Sequence, residues 1–211
     1  MPFTYDTRLG RYRDEAGRLV SEARIRLAVD QVADAASDIM ADVTERLRRG
    51  ELRLAEWQVE MMRTVKQAHV AAGVAAQGGR LQMTPSAFGF LGSEIKEQYR
   101  YLRDFANAIE AGTVSLDNRL VVARAAMYGQ HTRVTYEAIR ARDAQNRGYV
   151  MERNVLHAQE SCAQCVSLAR LSWVDVGSLP PIGSRTCLSR CRCTISRRKT
   201  IPDTGPLRVV A

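Results

Sequence analysis

All five cysteines of this chain lie in one short segment of its last third. Cys162 and Cys165 form a C-x2-C pair in "SCAQC". After 21 intervening residues, Cys187, Cys191 and Cys193 form a C-x3-C-x-C group in "CLSRCRC". A C-x2-C turn can direct two thiolates at one ion, and a second group after a loop can complete a tetrahedral zinc site. The spacing therefore predicts that the cysteine sulfurs form a functional site, with metal binding as the first candidate.

The second half of the pattern leaves the choice of ligands open. The usual second group is another C-x2-C pair, whereas here five thiols compete for four positions. In an extended strand Cys191 and Cys193 point the same way and can chelate together, or Cys187 can replace one of them. A histidine shortly before the first pair is a further potential ligand. The candidate metal ligands are Cys162, Cys165, Cys187, Cys191, Cys193 and His157.

Structural zinc competes with other states of these thiols. The first residues contain no apolar run typical of a secretory signal, so we expect a cytosolic chain, where disulfides are rare. An odd number of cysteines also argues against a disulfide framework. Disulfides formed when a particle leaves the cell remain an alternative to zinc, as do reduced cysteines without a ligand. A thioredoxin-type redox pair is disfavoured because the βαβ context of that motif is missing.

Positive charge is concentrated around the cysteines. The chain has a net charge of +8 and a pI near 9.6, which favours an anionic partner. Between residues 185 and 199 there are six basic residues and no acidic one. Those next to thiols should lower the thiol pKa and offset the negative charge of a thiolate site. The candidate contacts to nucleic acid or to an acidic partner are Arg185, Arg190, Arg192, Arg197, Arg198 and Lys199.

No pattern in the sequence indicates catalysis. Paired carboxylates, a nucleophile elbow and a glycine-rich phosphate loop are all missing from the sequence. His131 falls on an apolar stripe and is interpreted as a packed histidine, while His69 is expected to be partly exposed. Trp57 and Trp173 are interpreted as core or interface anchors. We expect a protein that is not an enzyme and, because no apolar run approaches about 18 residues, has no membrane partner.

Apolar residues in steps of three and four predict four helices before residue 148. The first runs from a serine cap at Ser21 to Gly50, with a stripe formed by Ile25, Val29, Val32, Ala36, Ile39, Val43 and Leu47. The others are expected at about 52–76, 93–112 and 115–148, and the Gly, Pro and Ser residues of 78–92 predict a long loop. Four such stripes can close a helical bundle.

The character of the sequence changes after Gly148. Short β-compatible runs and loops follow, and about 50 residues are too few to bury a core without a metal, disulfides or a partner. The predicted fold is mainly α: a bundle of about four helices with a small Cys-rich, zinc-stapled α+β module. The predicted domains are an N-terminal arm (1–20), a helical domain (21–148), the Cys-rich module (149–198) and an extended tail (199–211).

The segment His157–Ile195, "HAQESCAQCVSLARLSWVDVGSLPPIGSRTCLSRCRCTI", resembles the end of the Mu F-like phage head morphogenesis family, the minor head proteins. The matching features are the C-x2-C pair, the Pro180-Pro181 dipeptide and the terminal "CRC". The turn "SLARLSW" lacks the glycine that the family has there. Cys187 stands where the family's pattern has a histidine, and cysteine can serve as a ligand in its place.

This resemblance implies a structural, non-enzymatic minor capsid protein. Such a protein would lie at the portal vertex or inner capsid surface in the virion head, and in the host cytoplasm during assembly. It would act in head assembly and DNA packaging, as multiple copies in an assembly. Its partners would be the portal protein, the major capsid protein or both, with packaged DNA as a further partner. The alternative is a zinc-dependent nucleic-acid-binding protein with the basic segment on phosphates.

Overall fold

The structure, a computed structural model, describes residues 3–6, 8, 11–157 and 160–199. Of the predicted tail, only Lys199 lies within them. The described part is mainly helical with a small C-terminal strand region, which confirms the predicted fold class. Its elements are β1 (Thr4–Asp6), β2 (Arg11–Arg13), β3 (Leu19–Val20), α1 (Glu22–Arg48), α2 (Leu54–Gln77), α3 (Pro85–Glu110), α4 (Leu120–Asn146), β4 (Met151–Val155), α5 (Ala163–Arg170), β5 (Val174–Asp175) and β6 (Thr194–Arg198).

The chain divides into two compact units, Met1–Arg140 and Ala141–Ala211, called here the helical unit and the Cys-rich unit. The division falls inside α4, whereas the predicted boundary followed residue 148. In the described residues no helix combines the length and the apolar character that crossing a bilayer requires.

The first residues of the helical unit form a sheet that sequence analysis did not predict. Strands β1, β2 and β3 pair antiparallel in that order. The Tyr12 hydroxyl donates a hydrogen bond of 2.7 Å to the Ala75 carbonyl at the end of α2, and Val20 is buried beside Ile25 of α1. The segment expected to be an arm is therefore packed against the helices.

Helices α1 and α2 lie where the sequence predicts them. Ser21 is the N-cap of α1, and its hydroxyl accepts the backbone N–H of Arg24, as short polar caps do. The buried face of α1 differs in part from the predicted stripe. Ile39 is 51% exposed, while Ala33 and Met40 are fully buried. The difference is confined to the middle of the helix, since the residues at both ends of the predicted stripe are buried.

Helix α3 begins eight residues earlier than predicted, and the long loop expected at 78–92 is wrong. A single 3-10 turn at Arg80–Gln82 precedes Thr84, whose hydroxyl caps α3 by accepting the N–H of Ala87 at 3.1 Å. Proline is favoured at the first helical position because its missing N–H has no partner there. Pro85 therefore starts helix α3, although the sequence pattern predicts a loop at this position.

Helix α4 begins five residues later than predicted. The Ser115 hydroxyl accepts the N–H of Asp117, and the Asn118 carboxamide accepts the N–H of Leu120, so these polar side chains form a turn before the helix. Within α4, Gly129 allows a close approach to α1. A Cβ atom at this position would lie 2.4 Å from the backbone nitrogen of Ser37.

The main core of the helical unit is apolar and aromatic. Trp57 is 0% exposed, and its ring packs edge-on against Phe105 with the centroids 5.6 Å apart. Its indole N–H donates to the Thr44 hydroxyl at 2.9 Å, so the one polar atom of the side chain is satisfied. Met61 and Leu102 fill the same cluster. Trp57 is thus the core anchor that the sequence predicts.

The expectation of a partly exposed His69 is wrong. The ring is 0% exposed, lies 2.8 Å from the Thr135 hydroxyl through Nδ1, and stacks on His131 of α4 with centroids 5.7 Å apart. Burial, together with the neighbouring imidazole, lowers the pKa of His69 to about 3, and burial lowers that of His131 to about 4. The nearby Gly73 fits close packing here, since its absent Cβ would meet Leu91 at 2.9 Å.

The Cys-rich unit is built on a second antiparallel sheet in the order β5-β4-β6. Its register places Glu152 opposite Arg197 and Asn154 opposite Ile195 on one face. These residues are buried or packed inward, and the alternate residue Arg153 is exposed, as the two-residue period of a strand requires. The inner face of this sheet is the wall against which the cysteines are arranged.

Candidate metal centre

Two short segments bring the cysteines to the inner face of the sheet. Cys162 is the N-cap of α5, and its sulfur accepts the backbone N–H of Cys165 at 3.5 Å. Helix α5 was not predicted, and its first turn is the C-x2-C motif itself. Cys187 precedes a 3-10 turn, and Cys191 and Cys193 follow that turn and lead into β6. The N-terminus of α5 therefore positions the first pair of cysteines, and the 3-10 turn with the start of β6 positions the other three.

The five sulfur atoms converge around Cys165. Its Sγ lies 3.7 Å from that of Cys187 and 3.8 Å from that of Cys191. Two groups of three share it, and within each group all sulfurs lie within 4.8 Å of one another: Cys162, Cys165 and Cys187, and Cys165, Cys191 and Cys193. Four sulfurs bound at about 2.3 Å in a tetrahedron are about 3.8 Å apart. The distances from Cys165 to Cys187 and to Cys191 match this value, and each group offers three ligands.

The cluster consists of free thiols in a largely buried position. None of the five cysteines forms a disulfide, and Cys165, Cys191 and Cys193 are buried together with Leu179 and Ile182. Thiolates are ligands for soft and borderline metal ions. This cysteine cluster could therefore hold a metal ion.

His157 is not part of the cluster. It belongs to neither group of converging ligand atoms, its side chain is exposed, and its Nε2 lies 2.9 Å from the Thr194 hydroxyl. Of the six candidate ligands, the structure thus brings the five cysteines together and leaves the histidine outside both groups.

A buried guanidinium lies beside the sulfurs. Arg185 is 1% exposed and donates hydrogen bonds to the Pro180 carbonyl at 2.9 Å, to the Asn154 carboxamide at 2.7 Å and to Cys165 Sγ at 3.8 Å. Asn154 in turn donates to the Cys165 carbonyl at 2.9 Å. No carboxylate among the described residues pairs with this guanidinium. Sequence analysis placed Arg185 on a partner surface; the structure places it against the thiols.

The thiols differ in how readily they ionise. Burial acts to raise the pKa of Cys165, but hydrogen bonds from Cys162, from Arg185 and from other thiols outweigh it and lower the pKa to about 7. Burial raises the pKa of Cys191 to about 11 and also raises the pKa values of Cys187 and Cys193. Of the four thiols Cys165, Cys187, Cys191 and Cys193, Cys165 is therefore the first to lose its proton. Since metal binding displaces the remaining protons, it must weaken in acid.

The basic residues around the cluster fall into two sets. Arg197 is buried like Arg185: its Nε lies 3.6 Å from Glu152 Oε2, and both side chains are 4% exposed. The other oxygen of Glu152 accepts the N–H groups of Gly177 and Leu179, each at 2.9 Å, which ties the loop after β5 to the sheet. The remaining predicted contacts, Arg190, Arg192, Arg198 and Lys199, are exposed or half-buried.

Sequence reasoning missed the polar residues that support the site. Glu152, Arg153 and Asn154 are consecutive polar residues of β4. From residue type alone, all three would be predicted to be exposed, because the sequence does not show which face of the strand is buried. The period of two shows that Glu152 and Asn154 share a face. It does not show that this face is the one toward the cysteines.

No family model, no curated protein and no solved structure matches this chain.

Proposed function

We propose that this chain is a non-enzymatic structural protein of a tailed-phage head, in which a zinc ion bound by four of the five cysteines gives the Cys-rich unit a fixed docking surface. Zinc is commonly bound by four thiolates in a tetrahedron, and the two groups of three converging sulfurs support a thiolate site of this kind. The ion would supply rigidity that six buried core residues, three of them cysteines, cannot supply alone.

The observation that carries the zinc proposal is the buried charge of Arg185. A guanidinium that is 1% exposed and has no carboxylate partner among the described residues costs several kcal/mol, of the order of 3–5, unless an anion lies nearby. A thiolate at Cys165 would supply that anion next to Arg185, and a zinc ion with four thiolates, whose net charge is about −2, would keep this thiol deprotonated. Disulfides are neutral and would leave the guanidinium without a counter-charge.

The proposal of a phage head protein depends on the resemblance of the segment His157–Ile195 to the minor head proteins. The four helices and the small metal-binding unit are compatible with a protein that acts by docking. Portal and major capsid proteins are the proposed partners, because the family resemblance implies assembly at the portal vertex or the inner capsid surface.

Zinc content and thiol count test the metal directly. We expect one zinc per chain, four sulfur neighbours at about 2.3 Å by X-ray absorption, and five free thiols after denaturation without reductant. A protein that is purified without zinc and titrates with one free thiol would contain two disulfides, and the zinc proposal would be wrong.

Substitution of Arg185→Met tests the charge argument. We expect zinc affinity to fall about 10- to 100-fold, because the residue that donates to the Cys165 thiolate is lost. Arg190→Met is the matched control: this arginine lies in the same segment but is exposed, and its removal should leave zinc affinity nearly unchanged. Equal affinities for the parent protein and the Arg185 variant would contradict the assigned role.

Particle composition tests the assembly role. Mass spectrometry of purified heads from a strain that produces this chain should find it at a fixed ratio to the portal protein, and it should co-purify with portal or capsid after co-expression. Absence from both heads and assembly intermediates would contradict the proposal whatever the zinc content.

A further inference from the structure

Most of the net positive charge belongs to the Cys-rich unit. Residues 141–211 contain eleven basic and five acidic residues, a net charge of +6 out of +8 for the whole chain. Two of the acidic side chains already have basic partners: Glu152 is paired with Arg197 inside the unit, and Asp143 lies 2.9 Å from Arg147. The surface of this unit therefore carries cations in excess.

Part of this charge is gathered on the outer face of the β5-β4-β6 sheet. Arg153 lies opposite Ser196, and Arg198 lies opposite Met151, so the two arginines occupy the same face on neighbouring strands. Both guanidiniums lie over the ring of Trp173, at 4.8 Å and 3.9 Å from its centroid.

The residue after β6 makes a similar contact with a different aromatic ring. The ammonium of Lys199 lies 5.5 Å from the ring centroid of Tyr149. Stacking on aromatic rings limits the rotamers of long basic side chains, so less entropy is lost when they contact an anion. On the strands of this sheet the acidic residue of the same face is Asp175, in the edge strand β5, so the cations concentrate toward β6.

The guanidinium of Arg198 has unused donors. Its Nε and Nη2 are buried and make no hydrogen bond to any described residue. Because these two atoms are out of contact with solvent, they cannot themselves reach a phosphate group on a duplex, and only the half-buried remainder of the side chain is available at the surface.

We propose that the outer face of this sheet binds the phosphate backbone of duplex DNA without sequence preference. The residues of this cationic face are Arg153, Arg198 and Trp173, and Lys199, directly after β6, adds a further cation next to them in the chain. Phosphate contacts need exposed, oriented cations and no pocket. A protein partner would need an apolar centre, and here guanidiniums cover the ring of Trp173. The inference goes beyond the proposed function and does not require that the bound metal be zinc.

The test measures binding of the full-length, metal-loaded protein to a mixed-sequence duplex of about 25 base pairs by fluorescence anisotropy at several salt concentrations. We expect the logarithm of the affinity to fall with the logarithm of salt. Arg153→Gln and Lys199→Gln, both at exposed positions, should each weaken binding several-fold and reduce the slope by about 1.

Arg170→Gln is the matched control, since Arg170 is an exposed arginine of the same unit that lies in α5 rather than in the sheet. Two results would overturn the inference: no binding of the duplex at about 50 mM salt, or the same loss of slope in the control as in the two variants. Binding of a polyglutamate peptide as tightly as the duplex would also overturn it, in favour of an acidic protein partner.

Metal content measured on every sample separates this inference from the proposed function. Unchanged DNA binding by variants that keep their metal would refute the cationic face alone. If the wild-type protein binds DNA but contains no zinc, the zinc proposal is wrong and the inference about DNA binding stands.

Discussion

The two units of this molecule differ in the size of the apolar core that stabilises each one internally. In the helical unit, twelve buried residues form one continuous cluster that includes Trp57, Met61, Leu102 and Phe105. In the Cys-rich unit the corresponding cluster has six buried residues, and three of them are cysteines. Buried apolar area is the main source of folding free energy, so the first unit can fold on its core, whereas we propose that the second also needs a metal ion at its sulfurs.

The contrast also extends to buried charge. The helical unit holds Arg133 against the carboxylates of Asp30 and Asp34, so its buried cation is neutralised by side chains of the same unit. The Cys-rich unit holds Arg185 against carbonyls and a sulfur. A cation buried in this way needs an anionic group close by, and the thiolate form of Cys165 is the group in contact with it.

Removal of the metal should therefore have the largest effect and should act on one unit alone. With a chelator and a reductant present, we expect residues 150–196 to become sensitive to protease while helices α1 to α4 stay folded. Structural zinc contributes on the order of 10 kcal/mol to the folding of small metal-binding units, more than so small a core can replace. Mass spectrometry locates the protease cleavage sites, and far-UV circular dichroism measures whether the helices stay folded.

The control is the same protein after zinc is added back, which should restore protease resistance. A segment that stays resistant after its metal has been removed under reducing conditions would show that its apolar residues suffice. The comparison between the two units would then fail.

Truncation of Trp57 should give the converse result. Trp57→Ala removes a side chain that is fully buried against Phe105, and we expect the helical unit to lose about 3–5 kcal/mol in urea unfolding followed by circular dichroism. Metal content should not change. Val59→Ala is the control on the same helix, because Val59 is exposed and its truncation should cost no more than about 0.5 kcal/mol. Loss of metal from the Trp57 variant would show that the two units are not independent.

The sequence predicts the composition of each unit better than its geometry. Four helices follow from the apolar period, and the cysteine spacing predicts that the two halves of the pattern meet, which the five converging sulfurs confirm. The start of α3 could not be read correctly because Pro85 and the glycines of 78–92 signal either a loop or a helix start. The hydroxyl of Thr84 and the packing of Leu91 decide for the helix.

Long-range packing explains the other errors. Whether Arg185 lies on a partner surface or beside a thiol depends on the fold of the 21 residues between the two cysteine groups, which no local pattern specifies. The burial of His69 is also a long-range effect. The sequence of its own helix suggests an exposed side chain, but Thr135 and His131 of α4 pack against it. Residue type and spacing limit the candidates, and the neighbours in space assign the roles.

His69 also sharpens the comparison, because it gives the helical unit an acid sensitivity that does not involve metal. Since its pKa is lowered to about 3 by burial and by His131, the unfolded chain binds a proton between pH 6.5 and 3 that the folded chain does not. Stability from this residue is thus complete above about pH 6.5 and declines as the pH falls, by at most about 1.4 kcal/mol per pH unit.

The measurement uses urea unfolding at pH 7, 6 and 5 in a Trp173→Phe background, where Trp57 is the remaining tryptophan and its fluorescence reports on the helical unit alone. We expect His69→Gln to flatten the decline by about 1 kcal/mol per pH unit, the smallest of these effects. His157→Gln, at an exposed histidine of the other unit, should leave the decline unchanged. If the His69 variant declines as steeply as its parent, proton uptake elsewhere in the unit, with His131 the first candidate, governs the response to acid.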